Sequence, residues 1–260
     1  MTDKLITEAT GALGWLKLNK PAKLNALDEE MLLSLERHIA VWEEGGTVKV
    51  VAVGSTTQRA FCVGADLAVL AGFTEESMRA WETLGNRVLN RLQRTPLITV
   101  ASITGYALGG GLTLAAACDF RICSENATLA QPEIELGWAP GWGGVARLAR
   151  LVGPGRAREL SLTGRRLTAA EALAWGLAER VVPAGELETA VRDFAESLAA
   201  RSGPALRGIK ALAEEAEHAA DGLRARFDSL LNASLLGNDA AQAAIRSFLA
   251  KGGSRQTDGE

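Results

Sequence analysis

Residues Ile103 to Gly144 read ITGYALGGGLTLAAACDFRICSENATLAQPEIELGWAPGWGG, and their order decides the fold. The run leading into them, Leu97-Ile-Thr-Val-Ala-Ser-Ile103, is apolar and β-branched and predicts a buried strand. Gly105 and Gly109-Gly110-Gly111 follow, and then good helix formers from Leu112 to Ala117. Strand, glycine cluster and helix start, in that order, leave unpaired backbone N–H groups at the positive end of a helix. Such a place holds an anion, or an oxygen that becomes anionic during a reaction. Further on, Gln131-Pro132-Glu133 sets a carboxylate at a second helix start, with Pro132 suited to the first helical position. An oxyanion trap with a carboxylate near it is the minimum needed to move a proton next to a carbonyl. The alternative for the glycines taken alone is close packing of a helix against a sheet.

Outward from that stretch, the bulk composition narrows the classes. At 260 residues and 47% apolar content the chain can bury a sizeable core in one domain with an appendage. A net charge of −3 gives no general attraction to nucleic acid or to an anionic membrane. Cys62, Cys118 and Cys123 lack CxxC spacing, which argues against a disulfide framework or a zinc site and suits a reducing cytoplasm. The opening MTDKLITEAT has no apolar signal core, and no run reaches membrane-span length, so the expected location is cytoplasmic. His38 and His218 lie outside every motif and read as helix-surface residues. No P-loop is present, nor a GxGxxG with its downstream acid, which disfavours nucleotide hydrolysis and dehydrogenase chemistry.

In chain order, Leu5 to Leu18 predicts two short strands around Thr10-Gly11. Asp28 caps a helix whose apolar residues Met31, Leu35, Ile39 and Trp42 run to Gly45-Gly46. Val48 to Val53 is a strand, and Thr74 caps a helix with Trp81, Leu84, Val88 and Leu92 on one face, stopped at Pro96. Phe120 to Cys123 is another strand. Thr168-Ala-Ala-Glu171 is a capping box before a short helix ending at Gly176, and Val181-Val182 is a short strand. After Glu186 only helical spacing remains: Leu187, Val191, Phe194 and Leu198; then Leu206, Ile209 and Leu212; then Leu223, Phe227, Leu230 and Leu231; then Ile245, Phe248 and Leu249. Strands alternating with helices, then helices alone, imply an α/β core over 1–185, a helical region over 186–251 and a polar, disordered tail over 252–260. The residues show no internal repeat. Apolar helical faces without a sheet beneath them call for a partner.

Several blocks together resemble the crotonase superfamily, the enoyl-CoA hydratase/isomerase family. They are Gly105-Tyr-Ala-Leu-Gly-Gly-Gly111, Cys118-Asp119, Gln131-Pro-Glu-Ile-Glu-Leu-Gly137, Pro140-Gly-Trp-Gly-Gly144 and, upstream, Ala60-Phe-Cys-Val-Gly-Ala-Asp66. The resemblance runs from about Leu16 to about Leu249. It implies a crotonase-like α/β spiral of β-β-α turns with a C-terminal helical trimerisation region, assembled as a homotrimer or a dimer of trimers. It also implies an acyl-CoA thioester as substrate, with no metal or redox cofactor.

The resemblance assigns the site residue by residue. Glu133 matches the family's second catalytic glutamate, a general acid or base once burial lifts its pKa. Ala65 and Gly110 match the two backbone N–H donors of the oxyanion hole, while Asp66 fixes the loop. Ala26, Leu67 and Gly109 fall among the substrate-binding positions, and Trp138 and Trp142 line an acyl pocket. Lys20, Lys23 and Lys251 are candidates for the phosphates of coenzyme A. Glu135 reads as solvated or ion-paired.

Thr113 is the departure, because many hydratases of the family carry their first catalytic glutamate there. One carboxylate suits a double-bond shift and two suit hydration, so the expectation leans to isomerisation with Glu133 as sole acid/base. Open alternatives are hydration with Thr113 positioning the water, decarboxylation or C–C cleavage on the same scaffold, and an inactive acyl-CoA-binding or assembly subunit.

Overall fold

The computed structural model of the chain describes residues 3–217, 233 and 239–250. An antiparallel hairpin, β1 (Leu5–Thr10) and β2 (Leu13–Leu18), opens it. Asp28 accepts the N–H of Met31 and starts α1 (Glu29–Gly45), which ends on the left-handed Gly46. Then come β3 (Val50–Ser55), β4 (Ala60–Cys62), a short α2 (Leu67–Leu70) and α3 (Glu75–Arg94), the last opened by a Thr74–Ser77 capping box. Next are β5 (Ile98–Ile103), β6 (Tyr106–Leu108) and α4 (Gly110–Ala116). β7 (Phe120–Ser124), β8 (Thr128–Ala130), a 3-10 turn over Pro132–Leu136 and α5 (Gly144–Thr163) follow. β9 (Leu167–Thr168), α6 (Ala169–Trp175), β10 (Arg180–Val182), α7 (Leu187–Ala199), α8 (Gly203–Glu217) and α9 (Asp239–Ala250) complete the described chain.

Six strands pair in the order β1-β2-β3-β5-β7-β10, and four in the order β4-β6-β8-β9. Three successive passes each lay one strand in the large sheet, one in the small sheet and then a helix: β3–β4–α3, β5–β6–α4 and β7–β8–α5. This is the crotonase-like spiral of β-β-α turns. The residues show no repeat because the small-sheet strands β4, β6 and β8 are 3 residues long, too short for alternation to register. α5 has no counterpart in the sequence expectations. Gly153, at φ 82° and ψ 159°, and Pro154 break it into two helical pieces and interrupt the apolar spacing.

The inner strands of the large sheet, β2, β3, β5 and β7, are buried on both faces, as their near-continuous apolar runs require, while the edge strands β1 and β10 are partly exposed. Along β3, Val51 and Val53 join the main core with Leu35, Leu89 and Leu112. Val50 and Ala52 point the other way, to a second cluster containing Leu187, Val191 and Ala195 of α7. α7 therefore does have a sheet beneath it, which corrects the expectation that every helix after Glu186 lacks one. α8 is tied down by Lys210, whose Nζ donates to the Leu97 carbonyl and to Asp119 at 2.8 Å each, while Ile209 and Leu212 stay exposed. Ile245 of α9 returns to the main core. The helical face Leu223–Leu231, His218, Lys251 and the tail lie outside the described residues. Cys62, Cys118 and Cys123 are buried free thiols, each pushed up to about 12 by burial.

Candidate active site

β4, β6 and β8 run parallel as neighbours, so their C-terminal ends lie side by side. Ala65, Gly110 and Glu133 each follow one of those ends, at Cys62, Leu108 and Ala130, within a few residues. The small sheet thus gathers into one place three loops that are far apart in sequence, as the carboxyl edge of a parallel sheet commonly does for a ligand.

Two backbone donors face into this place. Leu27 forms a parallel bridge with Ala65, donating to the Gly64 carbonyl at 2.7 Å and accepting from the Asp66 N–H at 2.9 Å. Those bonds flank Ala65, so its own N–H points away from the bridge. Gly110 opens α4, where a first-turn N–H has no intrahelical acceptor. Gly64 sits at φ 90°, and a Cβ there would come within 3.0 Å of the Gly110 nitrogen, so the two loops approach backbone to backbone. Asp66 fixes the first loop: its Oδ1 accepts from Ala68 at 3.2 Å, capping α2, and its Oδ2 accepts from Lys20 at 2.9 Å.

Glu133 stands in the 3-10 turn just after Pro132. The residue as a whole is only half-buried, but its Oε2 is out of contact with solvent and has no hydrogen-bond partner among the described residues. Burial pushes the carboxyl up to about 7, against a smaller lowering by the residue's own backbone N–H. Gly109, at φ 53°, leaves it room, because a Cβ there would lie 3.1 Å from Oε1. Two backbone amides beside a carboxyl that burial pushes up to about 7 make an arrangement suited to stabilising an enolate and moving its proton.

The sequence pattern described as enoyl-CoA hydratase/isomerase matches residues 8–257. The chain belongs to the enoyl-CoA hydratase/isomerase family. It is 35% identical to the crotonyl-CoA hydratase of Syntrophomonas wolfei over 82% of each chain. It is also 35% identical to the short-chain-enoyl-CoA hydratase of Clostridium acetobutylicum, over 79% of this chain and 78% of that one. The crystal structure of an enoyl-CoA hydratase from Bacillus anthracis superposes with a TM-score of 0.81 at 33% identity, covering 96% of this chain and 97% of that one.

Within this family enzyme a cavity of 790 Å³ takes in Lys23, Ala26, Ala65, Asp66, Leu67, Gly109, Gly110, Glu133, Trp138 and Trp142. Thr113 is not among its lining. That residue is fully buried; its hydroxyl donates to the Gly109 carbonyl at 3.2 Å and is approached by the Gln131 amide at 3.4 Å. That back-bond to the preceding turn keeps the hydroxyl engaged with its own helix. Lys20 is also corrected as a phosphate ligand, since its Nζ donates to Asp28, Asp66 and the Ala26 carbonyl, which accounts for all three of its protons. Lys23 remains at the exposed rim. Glu135 is exposed, as expected of a solvated side chain, and touches the same rim.

Sequence reasoning missed other residues here. Glu82 of α3 is a further carboxylate in the cavity wall, in addition to Asp66, Glu133 and Glu135, and is only 5% exposed. Its signal was a lone acid on the apolar helical face of Met78, Trp81, Gly85 and Leu89. Asn25 is fully buried at φ 57°, and its amide donates to Ser55 and to the Ala60 and Phe61 carbonyls, stapling the loop that carries Ala26 and Leu27. Phe248 and Leu249 of α9 also reach the cavity. Among the described residues no group of His, Cys, Asp or Glu is placed to hold a metal ion, and no helix is long and apolar enough to cross a membrane.

Proposed function

We propose that this protein acts on enoyl-CoA thioesters, holding the thioester oxygen between the Ala65 and Gly110 amides, with Glu133 as its one acid/base. The favoured reaction is the shift of a 3-enoyl-CoA to the conjugated 2-enoyl-CoA. Glu133 takes a proton from C2, the electrons delocalise through C1 onto the thioester oxygen to give a dienolate conjugated with C3=C4, and as the carbonyl re-forms the same carboxyl returns the proton to C4. One C–H bond breaks and one forms, and no water enters.

The observation that carries this reading is the desolvated Glu133 carboxyl beside Gly109, with the Thr113 hydroxyl already bonded to the Gly109 carbonyl. A hydrating site must also fix and activate a water, for which a second carboxylate is better suited than a buried, engaged hydroxyl. A second reading, hydration, is favoured by the names of the relatives from Syntrophomonas wolfei and Clostridium acetobutylicum.

The test supplies a 3-enoyl-CoA and a 2-enoyl-CoA separately and identifies products by absorbance and mass. The double-bond shift is expected to be the faster reaction; efficient hydration with little shift would sink the isomerase preference. We also propose a cytoplasmic location and, supported by the exposed Ile209 and Leu212 on α8, assembly as a homotrimer or dimer of trimers. Sedimentation showing a stable monomer at micromolar concentration would oppose that assembly.

A further inference from the structure

We propose that Trp142 sets the length of the acyl group this site accepts, and that Glu82 is the positioning residue that holds Trp142 in place. The proposal rests on the acyl-CoA reading above. Trp142 has φ 54°, a left-handed conformation that a bulky side chain adopts only when its surroundings over-determine it. Here they do. Glu82 Oε2 accepts the Trp142 backbone N–H at 3.1 Å. One edge of the indole lies on α3 at Gly85, where a Cβ would fall 2.1 Å from Nε1. Its other edge lies on α4 at Gly110, where a Cβ would fall 2.8 Å from Cζ3. Gly141 leaves room for the other oxygen of Glu82, which a Cβ there would meet at 2.3 Å. The Trp81 ring backs the indole, with centroids 5.1 Å apart.

The indole therefore bridges α3 and the first turn of α4, directly beside the Gly110 amide. An acyl group whose carbonyl oxygen reaches that amide extends along the indole and meets the buried wall of Met78, Trp81 and Trp142. A rigid aromatic wall this close to the reacting carbonyl selects short acyl chains. Glu82 acts on Trp142 through the backbone N–H it accepts.

The test measures binding of butanoyl-CoA and decanoyl-CoA by calorimetry in the full-length protein, so that no turnover is required. The decanoyl-to-butanoyl affinity ratio cancels the coenzyme A contribution and general damage to the fold. Wild type is expected to favour butanoyl-CoA. Trp142→Gly, which also relieves the left-handed strain, should raise the ratio by roughly 10-fold or more, with Trp142→Phe in between. Glu82→Leu should shift it in the same direction, because the Trp142 N–H loses its acceptor, while Glu82→Gln, whose amide oxygen accepts the same N–H, should keep the wild-type ratio. An unchanged ratio in folded Trp142→Gly and Trp142→Phe, or equal affinity for both ligands in wild type, overturns the proposal. A ratio in Glu82→Gln that moves as far as in Glu82→Leu overturns the positioning role of Glu82. Failure of wild type to bind any acyl-CoA would instead defeat the underlying acyl-CoA reading, a result distinct from an unchanged ratio.

Discussion

Glu133→Gln is expected to lower turnover by roughly 10²–10⁴-fold while leaving the fold intact and making it more stable above neutral pH. The loss follows from removing the only carboxyl assigned to move a proton while keeping its size. The gain follows from burial. The Glu133 carboxyl titrates at about 7 in the folded protein against a reference of 4.5, so the folded chain binds this proton more tightly than the unfolded chain does. Its contribution to stability is complete below pH 4.5 and declines as pH rises through about 7, by up to roughly 3 kcal/mol. A glutamine carries no charge at any pH and escapes that decline, less what its own amide loses by burial. Denaturant unfolding at acid and at alkaline pH should show the variant gaining on wild type as pH rises. Near-normal rates in the folded variant would remove Glu133 from the mechanism, and equal stability on the alkaline side would mean that the carboxylate is not desolvated.

Gly110→Val is expected to cost roughly 10²–10³-fold in turnover, the range seen when one oxyanion donor is lost. A Cβ at this position would stand 2.8 Å from Trp142 Cζ3 and 3.5 Å from the Gly64 Cα. The valine must push aside either the indole or the facing loop, and both movements spoil the spacing of the Ala65 and Gly110 amides. Its amide is still present, so the loss comes from geometry rather than from a missing group. Circular dichroism should report a retained fold while acyl-CoA binding and turnover fall. Survival of both activities would show that the thioester oxygen does not sit between these two loops.

What was legible in the sequence was local. The strand before Gly105, the caps at Asp28, Thr74 and Thr168, the glycine run and the Pro132-Glu133 pair all announce themselves over a few residues, and the structure has each of them. The family blocks pointed to loops that do line one cavity. What was not legible depends on pairing between distant segments. The ends of β4, β6 and β8 meet because strands of 3 residues each lie parallel, and nothing in so short a run reveals its neighbour. Thr113 shares a helix with the glycine loop, yet its orientation was settled by a bond back to Gly109. Lys20 looked like a free cation until Asp28 and Asp66, 46 residues apart in the latter pairing, closed on it. Glu82 was readable as an acid on an apolar face, but its partner, the Trp142 N–H, is 60 residues away.

The pH dependence of kcat/KM for conversion of a 3-enoyl-CoA reaches Glu133 most directly, since it reports the ionisation of the essential base in the free enzyme. A base must be deprotonated to take the C2 proton, so the rate constant should rise with pH through a single ionisation at about 7 and level off above it. A profile that stays level across that range, or a rise that persists unchanged in Glu133→Gln, would contradict a single buried carboxylate as the group that moves the proton.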